Sequence, residues 1–182
     1  VTGRKDAETL GGLELASLDL ARLRRSGITI DRGGDFIHEG DRVVHEGLRQ
    51  ALFRWLDRAP APDGRYILRL DGQRFAYLEV VDTPIVARSA RRDAEGVHLG
   101  LSDGTEELLD PATLTVDEAG ILRCWVRAGV CEARLATSAA VVVADDLEVC
   151  PAAASGPGPE RLVLHSGRRD FAIPARSAPA RG

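Results

Sequence analysis

Apolar positions along the chain change their spacing more than once. From Leu13 to Arg25, Leu and Ala recur at mixed intervals and stop at Ser26-Gly27, which predicts a short helix with a glycine stop. Ile28-Thr29-Ile30 then alternates, Asp31-Arg32-Gly33-Gly34 signals a turn, and Phe36-Ile37 follow as the return strand of a small hairpin. Between Glu46 and Ala59, the residues Leu48, Leu52, Trp55, Leu56 and Ala59 fall at steps of three and four. That spacing predicts an amphipathic helix, stopped by Pro60-Ala61-Pro62-Asp63-Gly64.

From Tyr66 onward the period is two. Tyr66 to Leu70 and Phe75 to Val81 flank the turn at Asp71-Gly72, and Pro84 ends or bends the second strand. Short strands follow at Ile85–Ala90, Val97–Leu101, Glu106–Leu109 and Leu114–Val116, with longer ones at Ile121–Arg127 and Val130–Ala136. If Ala128-Gly129 is the tip of the last hairpin, facing residues have numbers that add up to 257. Cys124 then faces Ala133 and Cys131 faces Val126, so these two cysteines are not disulfide partners.

Thr137 to Val149 carries two patterns. Val141-Val142-Val143 favours a strand, whereas the length and the alanines favour a helix capped by Thr137 or Ser138. Pro151 to Pro159 reads as a surface loop. Leu162–Leu164 and Phe171–Ile173 form a final hairpin around Ser166–Arg169, and the tail from Ala175 is expected to fray. The pattern predicts an α+β fold, mainly antiparallel β with two or three helices, in two small roll-like subdomains packed together. The expected divisions are a poorly ordered or helical N-terminus (1–19), an N-terminal α+β subdomain (20–83), a β-rich C-terminal subdomain (84–174) and a flexible tail (175–182).

Composition narrows the function classes. The 182 residues are 44% hydrophobic and 29% charged, an ordinary globular balance for one domain or two small ones. The 24 basic and 28 acidic side chains leave a formal net charge of −4, which argues against a nucleic-acid partner. The arginine clusters at Arg22, Arg24, Arg25 and at Arg88, Arg91, Arg92 read as solvated faces. No run approaches the length of a membrane span, and VTGRKDAETLGG has no apolar core of a secretory signal. Val1 and the absence of methionine leave the true start open. Cys124, Cys131 and Cys150 match no zinc spacing and form no disulfide framework. The expectation is therefore a soluble, cytoplasmic chain with reduced thiols, no membrane contact and no cofactor.

The candidate chemistry centres on DFIHEGDRVVHEG, from Asp35 to Gly47. A zincin needs His-Glu-x-x-His on one helix, so that both imidazoles share a face. Here His38 and His45 are seven apart with Gly40 between them. In the competing reading His38 is a strand residue, Glu39 to Asp41 a turn, His45 a helix entry, and Glu46 a carboxylate in the first helical turn. Asp82-Thr83-Pro84 reads as a strand end, with Asp82 bonding nearby backbone N–H groups; its functional alternative is a cleft carboxylate. Ser166-Gly167 beside His165 lacks the G-x-S-x-G of a nucleophile elbow, and no G-x-G-x-x-G or Walker pattern is present. Trp55 and Trp125 are expected to anchor the core.

Several of these segments stand in a recognisable order. GITIDRGGDFIHEG from Gly27 to Gly40 is followed by a helix carrying Leu52-Phe53, then by Asp63-Gly64-Arg65-Tyr66. Leu78-Glu79-Val80-Val81-Asp82-Thr83-Pro84-Ile85-Val86 comes next, and Val163-Leu164-His165-Ser166-Gly167 with Phe171 ends the series. This order resembles the bacterial domain of unknown function (DUF) family 1285 across roughly residues 27 to 174. After Glu-Gly that family usually carries Pro-Ile and an Arg, where this chain has Asp41-Arg42-Val43-Val44-His45. Its final Trp and second Gly are replaced here by His165 and Arg168. The resemblance implies a two-part α+β fold and brings no activity with it.

The residues favour a non-enzymatic module that binds a small molecule or a protein partner at the seam between its halves, with room for a homodimer. Candidate ligand-binding residues are His38, Glu39, Gly40, Asp82, Pro84, Ser166 and Gly167. No catalytic residue or metal ligand is assigned. The competing expectation is a hydrolase or metal-assisted enzyme built on His38, Glu39 and His45.

Overall fold

The alternating stretches fold as strands and the three-four stretch as a helix, with shifts at their ends that follow from packing. A computed structural model describes residues 25–150, 161–166 and 169–176. Two units are distinguished: Val1–Thr29 with Phe36–Glu79, and Ile30–Asp35 with Val80–Gly182. The class is α+β and mainly β. No helix among the described residues is long and apolar enough to cross a membrane.

The first unit is built on a six-stranded sheet with strand order β3-β2-β1-β6-β5-β4. Its strands are β1 (Arg25–Ile30), β2 (Phe36–His38), β3 (Asp41–Arg42), β4 (Leu56–Arg58), β5 (Tyr66–Arg69) and β6 (Phe75–Val80), and its helix is α1 (Glu46–Trp55). Of the helix expected at Leu13–Arg25, residues 13–24 lie outside the described residues, and Arg25 opens β1 instead. The helix expected to reach Ala59 ends at Trp55. Leu56–Arg58 pairs antiparallel with β5, which satisfies the backbone through a ladder while Leu56 stays buried. The buried side of α1 is also turned from the expected one. Leu52 and Phe53 are inside and Leu48 is 46% exposed, because Phe53 meets Phe36 edge to face at 4.7 Å.

The second unit carries a seven-stranded sheet of order β16-β10-β11-β12-β7-β8-β9 and a three-stranded sheet β13-β14-β15. In chain order these are β7 (Ile85–Arg92), β8 (Val97–Leu101), β9 (Glu106–Leu108), β10 (Thr115–Asp117), β11 (Leu122–Val126), β12 (Cys131–Leu135), β13 (Leu147–Cys150), β14 (Arg161–Ser166), β15 (Arg169–Ile173) and β16 (Ala175–Arg176). A 3₁₀ turn at Pro111–Thr113 precedes β10. The hairpin register is the one the sequence predicts: Cys124 faces Ala133 and Val126 faces Cys131. Strict alternation puts Leu122, Cys124, Val126, Cys131, Ala133 and Leu135 in the core. All three cysteines are free thiols.

The ambiguous stretch is both things in turn, helix α2 (Thr137–Ala144) and then β13. Its N-cap is Ala136, whose N–H donates to Ala87 O, and neither Thr137 nor Ser138 caps it; Ser138 Oγ donates to Arg88 O instead. Ala139 and Val143 are fully buried where α2 packs on β7. The tail expected to fray from Ala175 instead supplies β16, parallel to β10. The loop expected at Pro151–Pro159 lies outside the described residues.

Between Ala87 and Ser89 the β7–β8 register shifts by one, so Arg88 is the extra residue of a bulge. The bulge aims Arg88 at Gly33 O and at the Asp35 carboxylate, 3.2 and 3.3 Å away. In the same loop Gly34 has φ +77°, and a Cβ there would lie 3.0 Å from Val86 Cγ2 and 3.2 Å from Ser102 Oγ. Conformation and space both demand glycine at that position.

Candidate functional site

The polar face of β11 and β12 collects a linked group of charges in the second unit. Because side chains alternate, Arg123, Trp125, Glu132 and Arg134 all occupy the half-buried side of the hairpin, opposite its apolar core. Arg123 and Arg134 are directly opposite each other. Like charges in that position repel, and Asp82 bridges them. Its Oδ1 lies 2.6 Å from an Arg123 Nη, and its Oδ2 lies 3.2 Å from Arg134 Nε. Asp82 thus pairs with side chains, which corrects the expectation that it would bond neighbouring backbone N–H groups.

Asp117 completes the group. One of its oxygens accepts from Ala119 and Ile121 N–H at 3.0 Å each, and the other accepts from Arg123 Nε and Nη at 3.1 and 3.0 Å. Burial works against the Asp117 charge, but those hydrogen bonds outweigh it and hold the carboxyl below its ordinary range. For Arg123, burial likewise opposes the charge, and Asp82 and Asp117 together raise its pKa.

Arg134 is held less completely. One Nη donates to Arg32 O at 2.7 Å, and its backbone N–H donates to Thr83 Oγ1. Its buried Nε has no hydrogen-bond partner among the described residues, because the approach to Asp82 has ion-pair distance without hydrogen-bond alignment. Trp125, expected as a core anchor, is half-buried on this same face beside Arg123.

The residues singled out from sequence are distributed over several elements. Glu39 and Gly40 have φ of +51° and +91°, and they join His38 to its partner Asp41. Two consecutive positive φ values in a two-residue loop mark the hairpin turn matched to strand twist. His38 is exposed at the end of β2. His45 is the N-cap of α1, its Nδ1 accepting from Leu48 N–H at 3.2 Å, while Glu46 binds Arg49 and Gln50. In the second unit Pro84 is fully buried beside Thr83. Ser166 pairs with Arg169 on the three-stranded sheet, whereas Asp82 belongs with Arg123 and Arg134. Gly167 lies outside the described residues.

A further cluster carried no signal in the sequence pattern. At the β7–β8 turn, Asp93, Glu95 and His98 bring ligand-type atoms within 4.8 Å of one another. Arg91 already sits among these groups, 2.6 Å from Asp93 and 2.6 Å from Glu106. Its guanidinium supplies the positive charge that a cation would bring. Arg92 is likewise engaged, by Val142 O and Asp146.

These features define a mainly antiparallel α+β protein with a charged half-buried sheet face. Two solved structures share the fold. A DUF1285 family protein from Silicibacter pomeroyi DSS-3 superposes with a TM-score of 0.64 at 18% identity, over 82% of this chain and 80% of that one. A second, from Shewanella baltica OS155, gives 0.50 at 16% identity, over 61% and 84%. The resemblance expected from motif order is therefore present in the fold. No family model and no curated protein matches the chain.

Proposed function

We propose that this chain is a non-enzymatic binding module that receives a carboxylate, borne by a small molecule or a protein partner, on the polar face of β11 and β12. The supporting observation is the Nε–H of Arg134, buried and without a hydrogen-bond acceptor among the described residues. A buried donor left unsatisfied costs about 1–3 kcal/mol. Asp82 already offsets part of that cost as an ion pair at 3.2 Å, so an aligned acceptor gains less than the full amount, and guanidinium donors match carboxylates in geometry. Trp125 on the same face adds a residue type that, with Arg, often dominates binding energy. Of the three residues an enzyme reading would use, His45 caps α1 and Glu39 forms part of the β2–β3 turn.

The test follows the Arg134 Nε–H resonance by NMR during titration with succinate and with a short acidic peptide. Trp125 fluorescence is read in parallel in a Trp55→Phe background. A saturable shift that disappears in Arg134→Gln supports the reading. A resonance that stays still through millimolar concentrations of both probes overturns it.

A further inference from the structure

The three-stranded sheet of the second unit carries a histidine whose two ring nitrogens both face carboxylates. His165 on β14 lies between its neighbours, with Nδ1 2.8 Å from Asp170 of β15 and Nε2 3.0 Å from Glu148 of β13. Asp170 is its direct cross-strand partner, and Glu148 reaches it diagonally from a position opposite Val163. A carboxylate only accepts hydrogen bonds. Both contacts are therefore hydrogen bonds only when both nitrogens carry protons, which is the imidazolium form. With one proton removed, one carboxylate faces a ring lone pair.

We propose that Glu148, His165 and Asp170 form a proton-dependent clasp that ties β13 and β15 to β14 and steadies the C-terminal strand β16 beside β10. The connection to β16 is short. β15 ends at Ile173, Pro174 O accepts from Val116 N–H at 3.1 Å, and Ala175 pairs with Val116. β15 also packs against the 3₁₀ turn Pro111–Thr113. Among the described side chains, the charged groups facing His165 are Glu148 from β13 and Asp170 from β15. Asp146, whose carbonyl accepts from the His165 backbone N–H, turns its own carboxylate to Arg92. The arrangement is independent of the Arg134 reading.

The sign follows from the partners. Hydrogen bonds donated by the ring to Asp170 first and Glu148 second favour its charged form and raise its pKa above the ordinary value. The clasp is complete below about pH 6.5, the ordinary histidine pKa, and is lost as pH rises through the raised value. It is also lost in acid, where the two carboxyls protonate.

The test is made on the full chain. Histidine ring 15N titration should show His165 doubly protonated at mildly acidic pH and titrating above a model imidazole. Amide exchange, corrected for the intrinsic pH dependence, is compared between β13–β15 with Val116 and the β11–β12 hairpin. Protection of the first group relative to the second should fall about two- to five-fold across the His165 titration, the range open to an exposed ion pair. His165→Arg, which keeps a cation at every pH, should retain protection and abolish that dependence. Should a His165 variant fail to fold, Asp170→Asn, which removes the carboxylate that acts more strongly on the ring, should weaken the pH dependence measurably. An ordinary His165 titration overturns the proposal, as does a protection ratio that stays constant.

Discussion

Arg123 and Arg134 are direct cross-strand partners, and one carboxylate, Asp82, lies between their guanidinium groups. Two facing cations would push the hairpin apart in a half-buried setting, so the acid is a requirement of the register. Replacing Asp82 with Ala should cost about 2 kcal/mol, between the values for exposed and fully buried pairs. Urea unfolding measures the loss. In the Asp82→Ala background, Arg134→Ala should cost less than it does alone, because the repulsion is then relieved. Additive costs would show that Asp82 does not bridge the pair.

Gly40 tests whether the Glu39-Gly40 step is a turn or a contact surface. Among the described residues, no atom beyond its chain neighbours lies within 4 Å of a Cβ built there, so its φ of +91° is what resists a side chain. Gly40→Ala should destabilise by about 1–2 kcal/mol through backbone strain alone. Glu39→Asn, placed where φ is +51°, should be neutral or slightly stabilising. The two midpoints in denaturant separate these outcomes.

The thiols should react in order of burial. Cys124 is pushed up to about 12 by burial and by the charge of Glu107, and Cys131 is completely buried. Alkylation of the native protein at pH 8, read by mass spectrometry, should label Cys150 first. Cys124 and Cys131 should become labelled only on unfolding.

Three loop carboxyls should titrate far below the usual range. Asp63 is held at about 2 by Arg65, Asp71 at about 2 by the Gln73 and Arg74 N–H groups, and Asp93 at about 2 by Glu95 N–H and Arg91. Depressed values stabilise the fold above the ordinary carboxyl pKa, and the benefit is lost as pH falls towards 2. Carboxyl 13C titrations check the values. Asp71→Asn, which keeps an acceptor for both N–H groups, should remove that residue's share of the acid dependence.

The legible parts of this fold were those with a local determinant. A short tip at Ala128-Gly129 pins the β11–β12 register, so the pairing of Cys124 with Ala133 could be read from residue numbers. The same arithmetic places Arg123 against Arg134 and asks for a bridging acid. What could not be read depends on distant partners. Leu56 joins a strand because Leu68 is there to pair with it, although its spacing from Leu52 suits a helix equally well. Ala175 is ordered by Val116, and nothing in the small-residue composition around it announces that contact. Asp82 looked like a strand-end carboxylate because its arginine partners lie some forty residues or more away in sequence.

The parallel pairing of β16 with β10 also bears on how the chain is made. Val116 meets Ala175, about sixty residues later, and contacts of such separation form late. During synthesis the outer side of Thr115–Asp117 therefore stays unpaired until Ala175–Arg176 has been made. A chain halted before Ala175 keeps that strand edge open, available to strands of its neighbours. Pairing of Ala175–Arg176 thus covers an edge of β10 that would otherwise be open to strands of neighbouring molecules.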